Sequence, residues 1–247
     1  MFPFIPTPIG KLPSFTLLAV VGVLSMLWFV YCSINKEHRS EESSFIFPRI
    51  VICGMCGFVF AGFVDFVFKY IEYGVIKFYG ITFYGGLIGA IISMYVILSI
   101  TKETTRYSKK EWYNILIPPF IVFHIFGRIG CFLGGCCYGR NSDSIFAVAF
   151  PDNAETGIYH YGEKCLPTQL FEVVALIIIL FIVWRCKNRL RAYLYLYAPT
   201  RFVIEFLRGD DRGEAFLLSP SQMISLGIIT VLIVYEIITL IKKHKLN

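Results

Sequence analysis

Six ionisable side chains stand where a chain this apolar should exclude them. Asp65, His124, Arg128, Arg201 and Glu205 lie inside apolar runs, and Glu172 lies near the start of another. Such residues are expensive at membrane depth and mark functional sites by default. In YAPTRFVIEFLRGDD, residues Tyr197, Arg201, Glu205 and Arg208 are spaced four, four and three. That spacing predicts one helical face. Two chemistries fit. Glu205 can neutralise Arg201 or Arg208 and simply glue helices together. Alternatively, two arginines against one carboxylate leave positive charge that calls for an anion, and a guanidinium fork suits phosphate.

A second stretch, HIFGRIGCFLGGCCYGR (124–140), poses the same question. His124, Arg128 and Cys131 share one helical face, and Gly127, Gly130 and Gly134 another. Glycines there permit close helix approach or backbone access to a ligand. With Arg128 on this glycine-rich helix end, an anion grip is expected over a lone structural cation. In PTQLFE (167–172), Pro167 is suited to opening a helix, which places Gln169 and Glu172 in its first turns. Glu172 then complements the helix dipole, pairs with an arginine, or acts as a general base. The residues alone leave these three open.

Eight cysteines add a possible redox or metal chemistry. Cys53 and Cys56 form a CxxC pair but sit mid-span, where cysteines act as small apolar residues. His124 with Cys131, Cys136 and Cys137 matches no standard zinc spacing, so no metal or other cofactor is expected. Cys136, Cys137 and Cys165 fall in a segment expected outside, where disulfides persist. A bridge from Cys165 to Cys136 or Cys137 would staple residues 134–166.

These groups need elements to hold them. Of 247 residues, 56% are hydrophobic and 16% charged, with mean hydropathy +0.66. Runs of about 20 apolar residues span a bilayer. They predict an all-α polytopic membrane protein of about seven helices, at 14–34, 46–68, 81–100, 114–133, 167–184, 193–207 and 221–241. The sixth is short and carries Pro199, Arg201 and Glu205. Residues 1–13, rich in proline, read as an ordered or interfacial lead-in and not a cleaved signal peptide.

Basic residues concentrate in alternate connections: Lys36, Arg39 and Arg49; Lys102, Arg106, Lys109 and Lys110; Arg185, Lys187, Arg189 and Arg191; and Lys242, Lys243 and Lys245. The other side has the sparser Lys11, Lys69, Lys77, Arg140, Lys164, Arg208 and Arg212. By the positive-inside rule the N-terminus is outside and the C-terminus cytoplasmic. The net charge of +6 then reflects contact with anionic lipid, and nucleic acid is not expected as a partner. One domain over 1–247 is expected, with outer segments 134–166 and 208–220 near the functional end. The first of these holds Asp143, Asp152 and Glu155, and the second Asp210 and Asp211.

Taken in order, FYGGLIGA (83–90), GRIGCFLGGCCYGR (127–140), PTQLFE (167–172), RFVIEFLRGDD (201–211) and SPSQMISLGI (219–228) resemble the prolipoprotein diacylglyceryl transferase family. The resemblance covers about Ile9 to Ile241. It implies a bacterial inner-membrane enzyme that moves diacylglyceryl from phosphatidylglycerol to a lipobox cysteine thiol, releasing glycerol phosphate. It implies that Arg128 and Arg201 hold the phosphate. It also implies that Tyr84, Tyr197 and Glu205 join them in catalysis. Gly85, Gly86, His124, Gly127, Gly130, Gly139, Arg140, Gln169, Glu172 and Arg208 are then substrate-binding, with Gly135 a further motif glycine. The chain departs from the family pattern at Tyr84, where histidine is usual, and at Phe15, where tyrosine is frequent. Cys131, Gly134 and Cys136 stand for asparagines and glutamate, and an arginine near Ala61–Phe63 is missing. The changed residues include the presumed proton acceptor. Two other functions therefore stay open: transfer of a phospholipid-derived group to another acceptor, and phospholipid binding without catalysis.

Overall fold

The computed structural model describes residues 3–7, 10–36, 41–74, 82–150, 152, 162–209 and 218–246. Arg39, Lys77, Glu155, Asp210, Asp211 and Arg212 of the sequence reading lie outside them. The described residues form seven α-helices: α1 Ser14–Asn35, α2 Glu41–Tyr73, α3 Phe83–Ile100, α4 Lys109–Gly134, α5 Thr168–Arg185, α6 Arg189–Glu205 and α7 Pro220–Leu246. Six are long and apolar enough to cross a membrane. The exception is α6, expected as the sixth span. It has only 17 residues and includes Arg189, Arg191, Arg201 and Glu205. The lead-in is a hairpin, β1 Phe4–Thr7 against β2 Gly10–Pro13, with Phe4 opposite Pro13 and Thr7 opposite Gly10.

The chain divides into two compact units. One contains residues 1–26, 117–212 and 221–247, and the other contains 27–116 and 213–220. The division in α4 falls between Leu116 and Ile117, next to Pro118 and Pro119 within the helix. Prolines remove backbone donors from a helix interior but are tolerated in membrane helices where neighbours meet the freed groups.

In the second unit, α2 packs closely on α3. A Cβ on Gly89 would lie 2.5 Å from the Phe60 Cβ, and one on Gly57 2.9 Å from the Gly86 carbonyl oxygen. Small residues at such contacts let membrane helices approach. Thr82 caps α3: its hydroxyl accepts from the Gly85 amide (3.3 Å) and donates to the Ala61 carbonyl (3.3 Å). Near the other end of the unit, buried Glu42 accepts from the Thr105 hydroxyl (2.7 Å) and the Arg106 amide (2.8 Å).

In the first unit, three segments past the ends of α4, α5 and α6 are knitted by backbone bonds. Gly139 N–H donates to the Leu166 carbonyl (2.8 Å), Arg140 N–H to Leu207 (2.8 Å), Leu166 N–H to Arg140 (3.1 Å) and Gly209 N–H to Tyr138 (3.2 Å). A short pair, β3 Val148–Ala149 with β4 Lys164–Cys165, continues this ladder. The ladder explains why α6 stops at Glu205. Beyond it Arg208 bridges Gly139, so Arg208 leaves the helical face expected to carry it with Arg201 and Glu205.

Candidate functional site

The first unit holds a cluster of four buried charges. Arg128 comes from α4, Glu172 from α5, and Arg201 and Glu205 from α6; each is at most 7% exposed. Arg128 Nε meets Glu172 Oε1 at 3.0 Å, and Arg201 Nη1 meets Glu205 Oε2 at 2.6 Å one helical turn away. Arg201 Nη2 also donates to the Ser221 hydroxyl at the start of α7 (3.3 Å). Glu172 lies within electrostatic range of Arg201 as well. Each arginine thus has its own carboxylate, and the four buried charges sum to zero. Of the two readings of the α6 charges, Arg201 takes Glu205 as its partner, and Arg208, the second arginine of that count, lies outside these four and is half-buried. Glu172, left open among three roles in the sequence, is an ion-pair partner.

Neutrality does not close the site to an anion. A carboxylate fork engages two of a guanidinium's five N–H donors, so one arginine can hold its carboxylate and a phosphate together. The carboxylates also make burial tolerable, since removing one partner of a buried pair costs about 3–5 kcal/mol.

Neutral polar side chains complete the cluster. Tyr197 donates its phenol to Glu172 Oε1 (2.7 Å). His124 Nε2 faces the same oxygen at 3.6 Å, and its Nδ1 is 3.4 Å from the Tyr193 hydroxyl. Tyr193 stacks on Tyr197, with ring centroids 5.3 Å apart at 7°. Tyr193 had no signal in the sequence beyond its place one turn before Tyr197. Gln169 donates to the Cys136 carbonyl (2.7 Å), while its own buried Oε1 has no hydrogen-bond partner among the described residues. Buried polar atoms are rarely left so, and this acceptor suits a hydroxyl-bearing ligand.

The glycines divide by surroundings. A Cβ on Gly130 would press on Phe15 of α1, at 3.1 Å from its ring. One on Gly139 would fall 2.7 Å from Leu166 and from the Leu207 oxygen. What surrounds these two is protein: one admits α1, the other admits the backbone ladder. Open space lies around Gly127 and Gly134. Arg140 is exposed and enters the ladder through its backbone, and Arg208 is half-buried. Tyr84, Gly85 and Gly86 belong to α3 of the other unit, where Tyr84 is buried and Gly85 abuts Ala61 and Val64 of α2. Asp65 is on α2 of that unit too.

The cysteines arrange themselves otherwise than expected. All eight are free thiols. Cys165 donates to Asn141 Oδ1 (3.2 Å) and is not bridged to Cys136 or Cys137. Cys131, Cys136 and Cys137 instead gather, with their sulfurs within 4.8 Å of one another. Linear spacing concealed this because the chain turns back after α4. Gly135 (φ 75°) and Cys137 (φ 66°) adopt left-handed backbone, which a non-glycine residue rarely holds. The turn is fixed from α5, where Thr168 Oγ1 donates to the Cys137 carbonyl (2.8 Å) and Gln169 to that of Cys136. Cys137 lies well below the usual thiol range. Hydrogen bonds from Cys131 and Cys136 lower it most, and Arg208 and Arg128 add to the effect.

A family model described as prolipoprotein diacylglyceryl transferase matches residues 5–238. A Clostridium perfringens protein named phosphatidylglycerol–prolipoprotein diacylglyceryl transferase 2 is 33% identical over 157 residues, 61% of this chain and 59% of its own. The chain thus spans about three fifths of that relative's length, and the same holds for a 32% identical transferase of Clostridium tetani (59%). Longer matches exist. A Clostridium botulinum protein with the name phosphatidylglycerol–prolipoprotein diacylglyceryl transferase is 30% identical over 233 residues, covering 90% of this chain and 89% of its own.

Proposed function

Since the chain belongs to the prolipoprotein diacylglyceryl transferase family, we propose that it transfers diacylglyceryl from phosphatidylglycerol to the lipobox cysteine thiol of prolipoproteins. The observation that carries the reading is the pair of buried arginines, Arg128 and Arg201, each held by its own carboxylate. In the reaction the thiol loses its proton and the sulfur attacks the glyceryl carbon. A C–S bond forms, and the C–O bond to phosphate breaks with its electron pair on the departing glycerol phosphate. Arginines fixed before the reaction stabilise that charge without rearrangement.

Glu172 and Glu205 position the arginines, and Tyr197 and His124 position Glu172. Gln169 Oε1 is an acceptor for a headgroup hydroxyl. For the thiol proton two candidates stand in different units: the Tyr84 phenol, and His124 backed by Glu172. Tyr84→Phe tests the first of them, because an unchanged rate excludes its hydroxyl as proton acceptor. We also propose one transferase domain over the whole chain. It would be a multi-pass protein of the bacterial cytoplasmic membrane, with the N-terminus outside and the C-terminus inside, working on membrane lipid.

The test is direct. Purified protein is incubated with phosphatidylglycerol and a lipobox peptide, and the peptide is weighed by mass spectrometry. Gain of one diacylglyceryl group supports the transfer. Lipid turnover without peptide modification assigns another acceptor, and lipid binding without either product removes the enzyme reading.

A further inference from the structure

The three-thiol cluster has no part in the arginine–carboxylate chemistry, yet it is built with care. Cys131 is on the last turns of α4, and Cys136 and Cys137 return to it through two left-handed residues. Left-handed backbone at a non-glycine residue costs on the order of 1–3 kcal/mol and persists where surroundings enforce it. Here the enforcers are Thr168 and Gln169, which hold the two carbonyls. The turn that carries the sulfurs is thus held by the backbone and by α5.

We propose that Cys131, Cys136 and Cys137 form a three-thiolate site for a zinc-class divalent cation, with its fourth coordination position open to a thiol. Zinc holds thiolates at about 2.3 Å in tetrahedral array, which sets ligand sulfurs about 3.8 Å apart. Sulfurs already within 4.8 Å of one another reach this by small side-chain rotations. A disulfide would use only two of the three. Among the described residues no histidine or carboxylate joins the group, and three protein ligands with one open position is the arrangement of catalytic zinc. The loaded site carries one net negative charge, and Arg208 lies within electrostatic range of Cys137 to offset it. His124, the fourth member of the quartet considered from sequence, is instead turned toward Glu172 and Tyr193.

The open position deepens the proposed transfer and rests on that reading. Cys131 is three residues beyond Arg128 on α4, so a thiol bound there lies near the phosphate grip. On coordination the acceptor S–H proton passes to the proton acceptor proposed above, Tyr84 or His124, as the zinc–sulfur bond forms. The bound sulfur attacks the glyceryl carbon, the C–O bond breaks onto phosphate, and the thioether leaves the metal. Zinc is neither oxidised nor reduced.

Full-length protein in detergent is stripped with a chelator and titrated with zinc against a chromophoric competitor. One equivalent is expected, weakened by more than roughly 100-fold in Cys131→Ser or Cys137→Ser, above the loss from an outer-shell partner. In the wild type, zinc is expected to shield these three thiols from maleimide labelling while Cys56 still reacts. The proposal is overturned if zinc leaves the three thiols reactive. It is also overturned if zinc binds as well to a Cys131→Ser/Cys136→Ser/Cys137→Ser variant, or if peptide mapping finds a disulfide within the trio. With cobalt in place of zinc, a lipobox cysteine peptide is expected to change the sulfur-to-metal absorption, and its serine counterpart is not. An unchanged spectrum overturns the open position. Cobalt binding with peptide response but no diacylglyceryl transfer keeps the site and removes the transferase reading.

Discussion

The cluster joining α4, α5 and α6 and the seam between α2 and α3 are both buried in apolar helices, for opposite reasons. The seam uses absence: Gly57, Gly85 and Gly89 leave out side chains so that two helices meet. The cluster uses costly presence: Arg128, Glu172, Arg201 and Glu205 are buried as ions where apolar residues of similar volume pack as well or better. Packing alone explains the first. It does not explain the second, which is why function is assigned there.

Substitutions can break that contrast, and their effects should descend in a fixed order. Glu172→Ala leaves Arg128 buried without its carboxylate and Tyr197 without its acceptor. The expected cost is about 3–5 kcal/mol, read by thermal unfolding in detergent; a change below 1 kcal/mol would show that the pair behaves as a surface contact. Gly89→Leu forces a side chain against Phe60, and about 1–3 kcal/mol is expected. That loss should appear in thermal unfolding in detergent. Thr168→Val removes one hydrogen bond to the Cys137 carbonyl. Roughly 1 kcal/mol is expected, together with faster maleimide labelling of Cys136 and Cys137 as their turn loosens.

Much of this was legible in the chain because charges in apolar runs are conspicuous. Arg128, Arg201, Glu172 and Glu205 were all visible that way, and the long apolar runs that located most helices are a strong signal. Three things were not. The pairing of Arg128 with Glu172 depends on how α4 and α5 face one another, which helical spacing within one element does not encode, whereas Arg201 with Glu205 is a pairing that the spacing of four allowed. The displacement of Arg208 from the Arg201 face depends on a backbone ladder with Gly139, formed by residues distant in sequence. The gathering of three cysteines depends on left-handed backbone at Gly135 and Cys137, and ligand spacing rules assume no such reversal. In these cases the local pattern was overruled by contacts with other segments: a side chain of α5 for Arg128, a backbone ladder for Arg208, and the Thr168 and Gln169 side chains for the cysteine turn.

The central claim is that two buried arginines stabilise a departing phosphate while a thiol is alkylated. Its most direct test is the mass of a lipobox peptide after incubation with phosphatidylglycerol and either wild-type protein or Arg128→Ala, with both shown folded by their unfolding transitions. A diacylglyceryl gain with wild type, slowed by roughly 100- to 1,000-fold in the variant, is the expected result. An equal rate of gain with both proteins would contradict the account.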